Sequence, residues 1–409
     1  GRFGVAARGV AHRSVISAGA DQLLRAVPLA QRMLTSDDGI VVGIFPFDGD
    51  GPAQLVVPEV AVRSDPDAAP LLIRAGGEVS SDVSALARLE EAGGNGHGDT
   101  AAAWLGDPPE EISSEPSAAC YADMVGEALA LIRQGALRKV VLARTLVVEV
   151  AQPLNIALLL RRLQRDEPDS YVVAVPLHEA RHLIGATPEL LLRRREDIVT
   201  SIPLGGSAPR GAEPSADEAA GKALLASTKD LHEHALVVED IVARLRPLCS
   251  SIDVPERPSL LGTATMWHLA TPVSARLRKP APSSLEVIAA LHPTPAVCGV
   301  PRDQALAAIR ELETVKRGFY SGVCGWMDGR GDGDWVVNLR CADIEGTRLR
   351  LFAGAGIVDG SDPQSEVRET ESKFRTLLHA LHDGGASPRN RAAQPGSVSP
   401  PMGARTSPE

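Results

Sequence analysis

The chain has 409 residues, 44% of them apolar but only 3% aromatic, so a large core has to be built from Ala, Val, Leu and Ile. The formal net charge of -10, with both signs interspersed, excludes the basic stripe of a nucleic-acid or anionic-membrane surface. Five cysteines without a C-x-x-C pair set aside a disulfide framework or a zinc site and fit a reducing, cytoplasmic compartment.

In chain order, GIVVGIFPF (39–47) and AQLVVPEVAV (53–62) predict strands from their β-branched content. No run approaches the ~18 apolar residues of a membrane span, and GRFGVAARGVAHRSV lacks the apolar stretch of a signal peptide. Residues 92–117, rich in Gly, Pro, Ser and Glu, predict a surface loop. A helical stripe over 120–134 (Met124, Leu129, Ile132) runs into the apolar strand KVVLARTLVVEV at 139–150. Further strands are predicted at 170–177, 182–186 and 189–194. The spacing of Leu231, Ala235, Val238, Val242 and Leu245 predicts a helix over 230–247 that buries this stripe and leaves Glu233 on the opposite side. A helix near 302–313 precedes strands at 319–328, 333–343 and 347–358. The final helix, 362–382, has Phe374, Leu377, Leu378 and Leu381 as its core stripe; Asp362-Pro363 suits its start and Asp383-Gly384-Gly385 its stop. Residues 384–409 lack periodicity and read as a disordered tail. Strands mixed with long helices, without strict alternation, predict an α+β fold.

Several polar residues stand in apolar surroundings. Lys139 opens an apolar strand, where a lysine is more often a strand-end surface charge than a catalytic group. Glu189 in GATPELLL reads either as an edge carboxylate or as an acid of raised pKa. Glu366, Glu369 and Lys373 share one face of the last helix, either as a surface ion pair with a neighbour or as carboxylates for a hard cation. Asp230 and Glu233 repeat the i, i+3 spacing on another helix. FAGAGIV (352–358) and PLGGSAPRG (203–211) match neither the Walker nor the dinucleotide pattern, so their glycines suit ordinary turns or close approach to an anion. His268 and Arg340 lie inside apolar strands, where a satisfied structural role is the commoner one.

Taken in order, KVVLAR (139–144), IGATPELLL (184–192), SIPLGGSAPRG (201–211), KDLHEHALVVEDI (229–241), MWHLATPV (266–273), LHPTPAVCGVPR (291–302), YSGVCGWMDGRGDGDWVVNLRCA (320–342) and RLFAGAGIVDGSDPQSEVRET (350–370) form one series. With it the chain resembles the chorismate-utilising, anthranilate synthase component I-like enzymes, and within them the isochorismate synthases of the siderophore-type branch. The resemblance covers residues 118–382 and implies two stacked mixed β-sheets flanked by helices. It makes 1–117 the weakly matched N-terminal part of the fold and 118–383 the chorismate-binding catalytic region.

It also implies roles. Lys139 would be the base that activates water, and Glu189 the acid that protonates the departing C4 hydroxyl. Glu233 and Glu369 would hold Mg2+, with Glu366 helping through water. Gly206, Ala296, Arg340, Gly354 and Lys373 would contact the substrate, chorismate. No nucleic-acid or membrane partner is expected, and the chain reads as a monomer. Lys139 favours water over ammonia as nucleophile, since ammonia-using relatives carry an uncharged residue there. Gly205 replaces the lysine by which aminodeoxychorismate synthases attack the ring. Ala296 stands where salicylate synthases tend to have threonine. Thr228 and Gly205 depart from the acidic residue and the alanine common in relatives. A salicylate synthase and a chorismate-binding protein without turnover remain the alternatives.

Overall fold

Two antiparallel strands of 11 residues, Lys139–Glu149 and Arg348–Val358, pair along their whole length, from Lys139 opposite Val358 to Glu149 opposite Arg348. Both are buried over most of their length on both faces, which is why they read in sequence as apolar runs instead of alternating patterns. The computed structural model describes residues 4–65, 68–75, 78–80, 109, 111–177 and 181–381, and these two strands lie at its centre. The expected tail, 384–409, and most of the expected loop at 92–117 lie outside the described residues.

Around that pair a seven-stranded sheet runs in the order Tyr171–Pro176, Arg181–Thr187, Cys341–Glu345, Arg348–Val358, Lys139–Glu149 and Gly299–Val300, with Glu111–Glu115 also paired to Lys139–Glu149. A larger sheet of nine strands is centred on Leu190–Arg195, Gly333–Val337, Val323–Asp328 and Ile40–Phe45. N-terminal strands Ala53–Val57 and His12–Ile16 extend it on one side; Ile198–Ile202, Val273–Leu277 and Cys249–Asp253 extend it on the other. Residues 1–117 therefore contribute three strands to the same sheet as residues beyond 320. Two small sheets flank these, one of which joins Leu204–Pro209, Met266–Ala270 and Ser259–Gly262. Every described pairing in the two large sheets is antiparallel, and strands distant in sequence lie side by side.

The two large sheets are stacked. Ile44, Leu190, Cys324 and Val336 of one pack in a single buried cluster with Ala143, Leu183, Cys341 and Phe352 of the other. Helices Ile156–Asp166 and Pro363–Leu381 bury Leu159, Leu163, Phe374 and Leu377 against Val148, Leu349 and Leu351 on the outer face of the seven-stranded sheet. Gln22–Met33 and Ser284–Leu291 cover the larger sheet. The helix starts follow local chemistry: Ser117, Asn155 and Ser227 each accept from a backbone N–H three residues on. Ser283 and Glu286 form a reciprocal capping box. The α+β class is as expected.

Four local expectations are corrected. The run 53–62 breaks at Pro58, which has no N–H for a ladder, and its halves enter different sheets as Ala53–Val57 and Val60–Asp65. The end of the predicted 92–117 loop is the strand Glu111–Glu115. The run 333–343 splits into Gly333–Val337 and Cys341–Glu345, and between them the chain crosses from one large sheet to the other, with Arg340 at φ 48°. The helix Thr228–Leu245 buries Glu233, His234, Leu236, Val237, Ile241 and Leu245, so Glu233 is on the inward face and not opposite to it. Apolar spacing misplaced that face because a carboxylate neutralised by a partner can be buried while the pattern counts it as polar.

Trp335 is the largest fully buried side chain; its Nε1 donates to Ser284 Oγ at 3.1 Å and its ring lies 6.0 Å from that of Phe45. Trp335→Ala should cost about 3–5 kcal/mol in denaturant unfolding. A loss below about 1 kcal/mol would mean that the larger sheet and its covering helix are not packed through this residue.

Candidate active site

Two of the places where the chain passes between the large sheets carry a functional candidate. Between Arg181–Thr187 and Leu190–Arg195 it crosses at Pro188 and Glu189, and between Gly333–Val337 and Cys341–Glu345 it crosses at 338–340. The crossings are tied together: Val337 N donates to Glu189 O at 3.2 Å, and Thr187 Oγ1 to Val337 O at 2.6 Å. Side chains at such a seam face the gap between stacked sheets, and here the gap is a cavity. Glu189, Arg340, Gly206, Ala296 and Gly354 line it, together with Glu233, Glu369 and Lys373 from the two acidic helices.

Glu189 is 2% exposed. Burial pushes its carboxyl up to about 8, and the nearby charges of Lys139, Arg340 and Lys373 offset only part of that cost. The group is therefore held protonated at neutral pH, in the form that can donate. Lys139, 1% exposed, reaches Glu233 Oε1 with its Nζ at 3.0 Å. The pair fits only because position 356 is glycine: a Cβ there would lie 2.0 Å from Glu233 Oε1 and 3.0 Å from Lys139 Cε.

Two more pairs complete the acidic set. Lys373 Nζ bonds Glu369 Oε1 at 2.6 Å and also donates to Gly354 O at 2.8 Å. Lys229 Nζ bonds Glu366 Oε1 at 2.8 Å, joining the two acidic helices. Burial and the neighbouring Glu369 carboxylate push Glu366 up to about 7, with Lys229 opposing. Burial also disfavours charge on Glu369, but Lys373, Lys229 and a hydrogen bond from Ser207 together outweigh it and hold that carboxyl low. Each carboxylate thus has its own ammonium group. Among the described residues no three metal-ligating side chains converge. The donors nevertheless suit a hard cation in kind: they are carboxylate oxygens, Glu233 on one helix and Glu366 and Glu369 on another, and the Glu369 charge adds to burial in raising Glu366.

The remaining polar wall is cationic. Arg340, 6% exposed, donates from Nη2 to His268 Nε2 at 3.2 Å, and its Nε has no hydrogen-bond partner. Burial, then the charges of Arg340 and Lys373, drive His268 well below its usual range, so the imidazole is neutral and accepts at Nε2. A guanidinium with an unused buried donor and a lysine on the same cavity form a receptor for anionic oxygens. At Gly205, a Cβ would come within 3.1 Å of His234 Cα and 3.2 Å of its Nδ1, so a long side chain is not accommodated without movement of that helix.

Eight of the ten expected site residues line the cavity directly; Lys139 joins it through Glu233, and Glu366 lies beside it on Lys229. Sequence reasoning did not single out Tyr320, which lines the wall stacked on Phe352 at 5.1 Å, or Lys229. Tyr320 opens the YSGVCG motif, where a scarce aromatic beside glycines was an available signal.

Residues 46–382 match the family of chorismate binding enzymes. The chain belongs to that family. It is 41% identical over 348 residues to the isochorismate synthase DhbC of Bacillus subtilis, covering 84% of this chain and 80% of the relative. A Bacillus anthracis crystal structure provisionally assigned as a 2,3-dihydroxybenzoate-specific isochorismate synthase superposes with TM-score 0.79 at 36% identity, over 93% of this chain and 94% of that one. The menaquinone-specific isochorismate synthase MenF of Escherichia coli superposes at 0.76 with 27% identity, over 93% and 86%. For this chorismate-binding enzyme, the cationic wall and the neutral buried acid are suited to a small carboxylate-bearing substrate.

Glu189 makes a pH signature. Its native pKa of about 8 lies above the model-compound 4.5, so between these values the folded state holds a proton that the unfolded state has released. The favourable contribution is complete below about 4.5 and is lost as pH rises to about 8. Glu189→Gln removes this dependence. Relative to wild type, its melting temperature should rise between pH 5.5 and 8.5; a constant offset in paired melts would show that Glu189 is not held protonated.

Proposed function

We propose that the chain is an isochorismate synthase, adding water at C2 of chorismate and expelling the C4 hydroxyl. The observation that carries the reading is a carboxyl kept protonated by burial, Glu189, near enough to Lys139 to feel its charge, at one cavity with Arg340 and Lys373. Hydroxide leaves poorly, so Glu189 gives its proton to the C4 oxygen as the C–O bond breaks. Water attacks poorly, so a base must take its proton as oxygen bonds to C2, and that role falls to Lys139. One water enters and one leaves, and the product is an isomer of the substrate. Arg340 and Lys373 bind carboxylate oxygens, and the wall at Gly206, Ala296 and the Gly354 backbone positions the ring.

Mg2+ is part of the proposal: Glu233 and Glu369 would hold it, with Glu366 through water, and it would supply charge neutralisation to the ring carboxylate. Holding it requires Glu233 and Glu369 to turn from Lys139 and Lys373. We also place the catalytic region at 118–383, in a cytoplasmic monomer; the free thiols of all five cysteines support a reducing compartment.

A salicylate synthase is the nearest alternative, and Ala296, with no hydroxyl, speaks against it. Incubation with chorismate and Mg2+ followed by product separation tests the reading. Isochorismate alone is expected; salicylate with pyruvate would transfer the chain to the alternative, and tight binding without turnover would make it a binding protein. An amino product on adding ammonium would overturn water as nucleophile. Glu189→Gln and Lys139→Ala should each lower turnover by at least ~10² with the fold intact, and near-wild-type rates in either would remove that residue from the mechanism.

A further inference from the structure

The strand that carries Lys139 has a gap on its edge away from Arg348–Val358. Gly299–Val300 pairs with Lys139 and Val140, and Glu111–Glu115 pairs with Thr145–Glu149, but among the described residues no strand meets 141–144 on that side. Backbone groups on a buried edge still need partners. Val141 N donates to Cys298 O at 2.7 Å. Side chains supply the rest: Arg317 Nη2 donates to Val141 O at 2.7 Å, and Ala143 N donates to Glu313 Oε1 at 2.8 Å.

Glu313 and Arg317 are an ion pair, each side chain 3% exposed. Arg317 Nε donates to Glu313 Oε2 at 2.9 Å, Nη1 donates to Val297 O at 2.7 Å, and the guanidinium lies 4.3 Å from the centre of the Phe47 ring. Tyr320 N in turn donates to Arg317 O at 3.0 Å. Val141, Val297 and Tyr320 all line the cavity. Arg317 thus joins three separate stretches of its wall, two through its buried guanidinium and the third through its backbone carbonyl, and it does so immediately beside the strand end that holds Lys139. Burying two charges costs several kcal/mol of desolvation, so the pair is an expensive means of satisfying three backbone groups alone.

We propose that Glu313 and Arg317 are positioning residues for the reaction, standing in for the missing strand and setting the distance between Lys139 and the Ala296–Val297 and Tyr320 walls. The proposal rests on reading the cavity as the chorismate site. The pair touches neither Arg340 nor Lys373 in any hydrogen bond described above, so disturbing it should misalign the ring more than weaken its capture.

Arg317→Lys keeps the charge but cannot reach Glu313, Val141 O and Val297 O together. Assayed well below its melting temperature, it should lose at least ~10-fold in kcat with KM for chorismate changed by less than ~3-fold. Glu313→Gln keeps the chain length but only one of the two acceptor oxygens and none of the charge that pairs with Arg317, so it should lose kcat as well, with KM again changed by less than ~3-fold. A purely structural pair predicts the reverse: Arg317→Lys melts earlier yet turns over at the wild-type kcat, which would overturn the proposal. If Arg317→Lys does not fold, Glu313→Asp decides, since it withdraws the acceptor from Ala143 N by one methylene; a kcat loss of at least ~5-fold supports positioning and an unchanged kcat overturns it. Wild-type protein that leaves chorismate untouched would instead sink the reading of the cavity, a result separable from any difference among the variants.

Discussion

Charge burial between two stacked sheets is the constraint on which this protein's site depends. Glu233, Glu366 and Glu369 sit in a low-dielectric gap where an isolated carboxylate would surrender its charge, and each is matched by one ammonium group, from Lys139, Lys229 and Lys373 respectively. Matching one to one keeps all three acids on inward helix faces without unfolding either helix. Glu189 feels several cations but has none to itself, and burial raises it further than it raises the paired Glu366. The same cavity therefore contains a carboxyl held low beside its ammonium partner, Glu369, and one held neutral without a partner of its own, Glu189, which is the division of labour that acid catalysis beside a cation requires.

The sheets create that gap through the two crossings. A strand that stays within one sheet presents side chains alternately to each face, and no position is special. A strand that leaves one sheet for the other must turn at the seam, and residues there point along the interface. Glu189 and Arg340 occupy those turns, and the left-handed backbone at Arg340 belongs to the second of them. The interrupted edge beside Val141 is a third irregularity at the same place. Regular pairing holds the frame, and each departure from it puts chemistry into the cavity.

Much of this was legible in the chain. The apolar run 139–150 needed no partner to be read as a buried strand, and the stripe ending in Phe374 and Leu377 placed the last helix within a residue. Ordered motifs brought together residues more than two hundred positions apart, and the cavity contains nearly all of them. The helix face at Glu233 was misread, because hydrophobic periodicity has no means of recognising a polar residue whose counter-ion is ninety-four positions away in sequence. The break at 338–340 was missed for a related reason: both halves of 333–343 are apolar, and only the identity of their neighbours distinguishes one long strand from two in different sheets.

What the amino-acid order determined by itself was local: which segments are helical or extended, where caps and prolines end them, and which residue types were available for acid, base and cation binding. Those properties depend on neighbours within a few positions along the chain. Tertiary structure alone decided which acid is neutral, which lysine faces which carboxylate, and that Arg317 and Glu313 complete a strand edge. Desolvation and Coulomb interaction depend on distance through space, and no spacing along the chain encodes that distance.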